Sequence, residues 1–370
     1  MLTFAPDLII QSMISVTKPF LPSREEYSKY IDKIWSNNWL TNNGPLVNEL
    51  ESKLKEKLKV DNLLFLANGT IAIQLAIKAL HLKGKIITTP FSYIATTSSI
   101  LWENCEPVFV DIDKEEWNIN CDDIEKHIDE STVAILATHV FGNSCRVDKI
   151  SAISKKFNLK VIYDAAHAFG VTYDNHPIST YGDVSTLSFH ATKLFHTIEG
   201  GAAISNDLEV HERIKMMRNF GHNGPDKIDE IGINGKNSEF HAAMGLCVLS
   251  QFDDIQKQRK AQYLYYLENL EGSNLEFQKL VEKMEYNYSY FPILFESEKI
   301  LIKAVYELNR KNIFPRRYFH PSLNKISIIK NSCDMPISED ISTRILCLPL
   351  YHNLSKSVQK LICDIIKNEI

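Results

Sequence analysis

The feature that most constrains the fold is a series of short apolar segments separated by stretches with helical spacing, beginning at residue 63. Five of these segments are continuously apolar instead of alternating, as expected for strands that are buried on both faces. They span residues 63–67, 85–89, 107–111, 133–139 and 160–164. Helical spacing lies between them, for example over residues 70–80 and 150–157. This order predicts an α/β fold with a mostly parallel sheet that is covered by helices on both faces.

The later part of the chain has a different pattern. Residues 183–189 and 202–206 are predicted strands too close together for a helical crossover, so we expect them to be antiparallel. Residues 246–269 then have the spacing of one long helix. Because 370 residues exceed the usual size of one core, we predict a large domain over residues 13–245 and a smaller α/β domain over residues 246–370. The first dozen residues are expected to form an extension.

Composition excludes several classes of protein. The net charge of -5 offers no basic surface for a nucleic acid. The seven cysteines are scattered and include no C-x-x-C pair, which argues against a zinc site or a disulfide framework and for a reducing compartment. No apolar run approaches the length of a membrane span. We therefore expect a cytoplasmic protein without nucleic-acid or membrane partners.

One lysine is placed between two predicted strands. Lys193 lies within residues 188–201, which are flanked by the apolar residues of those strands. Enzymes most often need an amine held in this way for a Schiff base with a carbonyl compound. A surface lysine in a loop is an equally weighted interpretation of this segment alone.

A second motif, Asn68-Gly69-Thr70, stands between a predicted strand and a predicted helix. The N–H groups at that helix start, together with the Thr70 hydroxyl, could bind a phosphate. A plain turn with Thr70 as the N-cap is the favoured interpretation when the motif is considered alone. The motif matches neither a Walker loop nor a Rossmann glycine fingerprint.

A third motif, Asp164-Ala165-Ala166-His167, follows the strand predicted over residues 160–164. The carboxyl ends of parallel strands are where open α/β sheets bind ligands, and the alanines would let a flat ring approach. Two other interpretations remain open. Asp164 could cap a helix, or it could form a metal site with His167 and with His190 or His196.

Together the three motifs supply what pyridoxal phosphate requires: a phosphate site, a carboxylate for the pyridine nitrogen and a lysine for the aldehyde. An aromatic ring could then stack on one face of the cofactor and His167 on the other. Phe91 and Tyr93 are the candidates for this ring, and we favour Tyr93. No metal is expected in such a site.

The chain resembles the sugar aminotransferases of the DegT/DnrJ/EryC1/StrS family, which have the type I aspartate aminotransferase fold. The resemblance extends over nearly the whole length, and its strongest marks are residues 68–70, 90–96, 164–170, 188–201 and 232–239. Two departures are visible. Lys236-Asn237 stands where many members have Arg-Met, and Ser92-Tyr93 stands where Thr-Phe or Thr-Trp is commoner.

The resemblance implies a role for each of these residues. Lys193 would bind the cofactor covalently and carry out catalysis, and Asp164 would pair with the pyridine nitrogen. His167 and Tyr93 would flank the ring. The phosphate would be held by the 68–70 motif and Ser188, joined by Asn234 from the second subunit of a homodimer. Because one branch of the family has histidine instead of lysine and catalyses dehydration, Lys193 implies transamination.

The resemblance also implies a substrate class. L-Glutamate would donate the amino group to a nucleotide-linked keto deoxy sugar. The leading acceptor is dTDP-4-dehydro-6-deoxy-D-glucose, aminated at C4 for O-antigen synthesis, and a 3-keto sugar aminated at C3 is the near alternative. Lys236, Tyr318 and His320 are candidate contacts to the sugar or its diphosphate. A non-catalytic regulator that retains the cofactor pocket, and a metal-dependent hydrolase built on Asp164 and the histidines, are the alternatives from other classes.

Overall fold

A seven-stranded sheet lies at the centre of the computed structural model, which describes residues 13–329 and 333–369. Its strands, in the order in which they lie side by side, are Leu63–Leu66, Gly201–Ile204, Val184–Ser188, Lys160–Asp164, Thr132–Thr138, Lys85–Thr88 and Glu106–Phe109. Gly201–Ile204 is antiparallel to both of its neighbours, and the other pairs are parallel. The predictions of a mostly parallel sheet and of an antiparallel last pair are both confirmed. The extension predicted for residues 1–12 lies outside the described residues.

The continuous apolarity of the strands follows from the two layers that cover the sheet. Successive side chains of a strand point to opposite faces. Leu63 and Phe65 accordingly belong to one hydrophobic core, and Leu64 and Leu66 belong to a second. Both faces of this strand are therefore apolar.

Helices account for most of the remaining structure. The α-helices are Arg24–Asn37, Pro45–Leu58, Gly69–Ala79, Ile94–Trp102, Cys121–Ile124, Val147–Phe157, Leu208–Met217, Glu239–Ser250, Phe252–Leu270, Glu298–Arg310, Pro336–Arg344 and Lys356–Glu369. Short 3₁₀ turns are Glu125–His127, Val140–Gly142, Ile178–Thr180 and Leu323–Lys325. Within the described part of the chain, no helix combines the length and the apolarity needed to cross a membrane.

A smaller, three-stranded antiparallel sheet is formed by Glu276–Phe277, Pro292–Leu294 and Ile345–Cys347. A third hydrophobic core lies against it and includes residues of the helices Glu298–Arg310 and Lys356–Glu369. Minor strand pairs join Ile14–Ser15 to Ile313–Phe314, and Thr172–Tyr173 to His176–Pro177 and Met284–Glu285.

The prediction of one helix over residues 246–269 is wrong. Two helices meet at Gln251, whose φ of -106° and ψ of 2° are not helical. After this break Phe252 and Ile255 pack into the core of the large sheet, whereas Tyr266 and Leu270 pack into the core of the small sheet. The helix thus changes its packing partner along its length. We propose that the two domains divide within this helix, later in the chain than residue 245.

Candidate active site

The start of the Gly69–Ala79 helix forms one wall of the site. Asn68 is its N-cap, because its side-chain oxygen accepts a hydrogen bond of 2.8 Å from the N–H of Ile71. The interpretation of Thr70 as the N-cap is therefore wrong, since Thr70 already lies in the first helical turn. The N–H groups of Gly69 and Thr70 have no intrahelical acceptor at this position. The helix dipole also makes this end electropositive, which favours an anion.

Two glycines allow the helix start to approach the strand ends closely. A Cβ on Gly201 would lie 2.4 Å from the carbonyl carbon of Asn68, and one on Gly69 would lie 3.0 Å from the Cβ of Ser188. Ser188 pairs with Gly201 at the end of its strand, so its side chain lies beside the helix start. The result is a small cradle of N–H and hydroxyl groups that a side chain at either glycine would fill. These groups fit a phosphate.

Asp164 ends its strand as a buried carboxylate, 6% exposed. One oxygen accepts a hydrogen bond of 2.6 Å from the Thr96 hydroxyl, and the other accepts one of 3.1 Å from the N–H of Ala166. A turn follows, so Asp164 does not cap a helix. Among the described residues no lysine or arginine forms an ion pair with it. A buried carboxylate that is oriented by hydrogen bonds and has no ion pair with a described lysine or arginine can pair with the protonated nitrogen of a pyridine ring.

A chain of buried hydroxyls supports Asp164. Because Thr96 donates its proton to the carboxylate, its oxygen accepts from Ser92, 2.8 Å away. Ser92 in turn lies 3.2 Å from the hydroxyl of Thr138. Ser92 is one of the two departures seen in the sequence, and here it continues this chain. The sequence analysis did not identify Thr96 or Thr138 as site residues.

Lys193 lies in a closed loop between two antiparallel strands. The loop is held by backbone hydrogen bonds from Phe189 to Gly200, from Thr197 to Phe189 and from Lys193 to His190, of 2.7, 2.9 and 2.8 Å. Burial lowers the pKa of Lys193 to about 8, although Asp164 and Tyr93 act in the opposite direction. Its Nζ lies 3.4 Å from the hydroxyl of Tyr290. The loop therefore holds the lysine in place. At a given pH near neutrality, the uncharged fraction of its amine is larger than that of an ordinary lysine.

His167 lies beside this lysine with its ring buried. Its Nδ1 accepts a hydrogen bond of 3.1 Å from the N–H of Phe141, which places the ring proton on Nε2. Burial and the nearby Lys193 hold the pKa of His167 well below its usual value, so the ring is neutral. A neutral flat ring of this kind can stack on an aromatic cofactor.

The interpretation of Asp164 and the histidines as a metal site finds no matching geometry. His190 contacts the hydroxyl of Thr192, and His196 contacts the carbonyl oxygen of Phe20. Over residues 13–329 and 333–369, no three His, Cys, Asp or Glu side chains are grouped so that they could hold an ion.

The predicted aromatic and substrate residues lie in two places. Tyr93, Tyr318 and His320 line one cavity of about 540 Å³, and Tyr93 is 61% exposed. Phe91 instead packs in a core with Phe141 and Phe319, which supports the choice of Tyr93.

The other two predicted residues lie on a separate segment. Asn234 is exposed and forms an isolated antiparallel β-bridge with Asn219. The Nζ of Lys236 lies 4.6 Å from the centroid of the Phe220 ring. The neighbouring Asn237 is buried and donates a hydrogen bond of 2.8 Å to the carbonyl of Glu199. This departure from the commoner Arg-Met therefore has a structural role in the chain.

Comparisons with known proteins identify the family of the chain. Residues 22–367 match the model of the DegT/DnrJ/EryC1/StrS aminotransferase family. The dTDP-4-amino-4,6-dideoxy-D-glucose transaminase of Shigella dysenteriae is 42% identical over 97% of this chain and 99% of its own length. The Escherichia coli protein of the same name is 39% identical over 93% and 95%. A crystal structure of DesI in the presence of its TDP-sugar product has a TM-score of 0.92 at 27% identity, covering 97% of this chain and 93% of the other.

The fold and the site thus define a pyridoxal-phosphate-dependent enzyme, and the type I aspartate aminotransferase fold expected from the resemblance is confirmed. The chain belongs to the DegT/DnrJ/EryC1/StrS family of sugar aminotransferases.

Proposed function

We propose that the chain transfers the amino group of L-glutamate to C4 of dTDP-4-dehydro-6-deoxy-D-glucose, giving dTDP-4-amino-4,6-dideoxy-D-glucose. The observation that carries the proposal is the likeness, over almost the full length of both chains, to two transaminases named for this product. The chemistry is supported by the site, where Asp164 ends one strand and Lys193 lies in the loop that follows the neighbouring strand. A regulator without turnover has no use for an amine and a carboxylate placed together in this way.

Each of the predicted cofactor contacts is part of the proposal. Gly69, Thr70 and Ser188 would hold the phosphate in the cradle that Asn68 caps. Asp164 would keep the pyridine nitrogen protonated, with Tyr93 and His167 at the two ring faces. When bound, pyridoxal phosphate supplies an aldehyde and a ring that withdraws electrons from the substrate.

The lowered pKa of Lys193 suits it to act as both nucleophile and base. With a pKa of about 8, about a tenth of its amine is uncharged at pH 7, against less than about a thousandth for an ordinary lysine. The uncharged Nζ can attack a carbonyl carbon, and it can take up a proton from a substrate carbon and return it. The neutral His167 adds no second positive charge beside it.

The sugar nucleotide is expected to bind in the cavity beside these residues. Tyr318 and His320 line this cavity. Together with Lys236, which lies on a separate segment, they would contact the sugar or its diphosphate. We test the substrate by incubating the protein with L-glutamate, pyridoxal phosphate and dTDP-4-dehydro-6-deoxy-D-glucose, and by locating the new C–N bond with NMR. Amination at C4 is expected. Amination of a 3-keto sugar at C3 instead would refute the substrate and leave the aminotransferase class intact.

We also propose a homodimer with shared active sites. The support is a set of exposed apolar side chains on the segment that carries Asn234, namely Phe220, Ile228, Ile231 and Ile233, of which Ile231 is 83% exposed. Four large apolar side chains exposed within one short segment are what a subunit interface would cover. If Asn234 serves the partner's site, Lys193→Ala and Asn234→Asp subunits should be nearly inactive alone. They should regain activity when mixed under exchange, because one site of the hybrid then has both native residues.

A cytoplasmic location and a role in O-antigen synthesis complete the proposal. All seven cysteines of the chain are free, which supports a reducing compartment. The location is tested by fractionating cells that express the native chain. Recovery outside the cytoplasmic fraction would contradict it.

A further inference from the structure

Tyr290 is a buried residue that contacts the reactive lysine and has no assigned role. Its hydroxyl lies 3.4 Å from the Nζ of Lys193, a residue 97 positions earlier in the chain. Its ring lies beside that of His167, with centroids 4.5 Å apart at 47°. Tyr290 is 7% exposed, so water has little access to this contact.

The residues just before Tyr290 are bonded to the turn that carries His167, which follows the strand Lys160–Asp164. Asn287 donates hydrogen bonds of 2.9 and 3.0 Å to the carbonyls of His167 and Phe169. The Ser289 hydroxyl donates a second hydrogen bond, of 3.1 Å, to the carbonyl of His167. Tyr290 itself receives a hydrogen bond of 3.2 Å at its carbonyl from Tyr286.

Gly142 lies against both the segment that carries Tyr290 and the turn that carries His167, and no side chain would fit at its position. A Cβ on Gly142 would lie 2.7 Å from the side-chain oxygen of Asn287 and 2.8 Å from the carbonyl of His167. The segment that carries Tyr290 is therefore held against the turn that carries His167.

A tyrosine hydroxyl is both a donor and an acceptor. We propose that Tyr290 is a positioning residue that holds the amine of Lys193 in both of its protonation states. The hydroxyl accepts a hydrogen bond from the ammonium form and donates one to the free amine. The Nζ therefore stays in place when it is not covalently occupied, and no bond is made or broken by Tyr290 itself. The proposal rests on the proposed function only in taking Lys193 as the reacting amine.

The other ionisable groups near Lys193 are Asp164, Tyr93 and His167. None of them is changed by Tyr290→Phe, which removes one hydroxyl and keeps the ring against His167. The matched control is Tyr266→Phe. Tyr266 is also buried, but its hydroxyl donates to the carbonyl of Pro349 in the small-sheet core.

The test is the pH dependence of Lys193 acetylation in the full chain freed of cofactor, followed by peptide mass spectrometry. A hydrogen bond to a charged donor is stronger than one to a neutral amine. The midpoint for Tyr290→Phe should therefore fall by about one pH unit relative to the wild type. A midpoint equal to that of Tyr266→Phe would overturn the proposal. This readout does not depend on which sugar is aminated, so it can fail independently of the proposed function.

A second measurement uses the unmodified Tyr290. In cofactor-free protein with ¹³Cζ-labelled tyrosine, at least one tyrosine resonance, that of Tyr290, should move as Lys193 titrates near pH 8. The pH-dependent shift of this resonance should be absent in Lys193→Met and present in Tyr93→Phe. The second variant separates Tyr290 from Tyr93, the other tyrosine near the lysine. If every moving resonance is lost in Tyr93→Phe, the contact to Tyr290 is refuted.

Discussion

The two sheets contribute to the active site in different ways. The seven-stranded sheet supplies Asp164 and Ser188 directly at strand ends, with Lys193 in the loop between two of its strands. The segment that precedes the small-sheet strand Pro292–Leu294 supplies Tyr290, and side-chain hydrogen bonds to backbone carbonyls fix it to the turn after the large-sheet strand Lys160–Asp164. The first contribution depends on local sequence, and the second depends on contacts between residues that are more than a hundred positions apart. The large sheet therefore supplies the reacting groups, and the segment before the small sheet positions one of them.

The largest effect is expected where the large sheet supplies the reacting group. Lys193→Ala removes the amine that the site places near Asp164, so aminotransfer should fall by at least about 10³-fold. The visible absorption band of the bound cofactor should vanish with it. Lys279→Ala removes an exposed lysine paired with Glu115 and should keep both. A yellow, active Lys193→Ala protein would mean that the sheet does not supply the catalytic amine.

The contribution of the segment before the small sheet is tested by Asn287→Ala. This change removes the Asn287 partner of the buried Phe169 carbonyl and of the N–H of Ser289, and leaves the His167 carbonyl with the Ser289 hydroxyl alone. It should lower the free energy of unfolding by about 2–3 kcal/mol. Urea denaturation of the cofactor-free protein measures the change. Asn269→Ala, which removes a side chain bonded to the carbonyl of Tyr265 on its own helix, should cost far less. Equal losses in the two variants would show that the hydrogen bonds of Asn287 stabilise the fold no more than a side-chain bond within one helix does.

The buried charge of Lys193 should also lower the free energy of unfolding of the cofactor-free protein. Its pKa is lowered by burial to about 8 in the folded chain and is about 10.4 in the unfolded chain. Below about pH 8 both states are protonated and the full cost of the buried charge is present, whereas above that pH the folded state loses its proton first. Lys193→Met should therefore stabilise the cofactor-free protein by about 2 kcal/mol at pH 7. The gain should shrink as the pH rises towards 10, and a gain that does not depend on pH would contradict this assignment.

The smallest effect is expected from the hydroxyl chain behind Asp164. Thr96→Val removes the hydrogen bond to the carboxylate with little change in shape, and kcat/KM should fall by about tenfold. Thr97→Val is the matched control, because the Thr97 hydroxyl is buried and has no hydrogen-bond partner among the described residues. Steady-state kinetics on both variants separate the loss of the bond from the loss of a buried hydroxyl.

How far the sequence predicts this structure depends on the range of the contacts involved. The strands were predictable because burial on both faces leaves continuous apolar runs. Asp164 stands at the end of one such run, and Lys193 lies in the segment between two others. The close approach at Gly69 and Gly201 was not predictable from spacing, since it depends on the pairing of Gly201 with Ser188. The break at Gln251 was missed because residues on both sides of it have helical spacing.

Tyr290 and Thr96 show the same limit more clearly. Tyr290 lies in a tyrosine-rich stretch, and nothing in its own sequence distinguishes it from Tyr286 or Tyr288. Thr96 lies on a helix with Thr97 beside it, and only the fold decides which of the two hydroxyls meets Asp164. Resemblance to a family supplied residue roles that local patterns left open, but it did not supply these supporting contacts.

The most direct test of the central claim is the identity of the lysine that carries the cofactor. The holoenzyme is reduced with borohydride, which fixes a Schiff base as a stable amine, and the digested peptides are analysed by mass spectrometry. The structure predicts a phosphopyridoxyl group on the peptide that contains Lys193. The same group on a different lysine, or no modified lysine in a protein that binds the cofactor, would contradict the assignment of the site at the edge of the seven-stranded sheet.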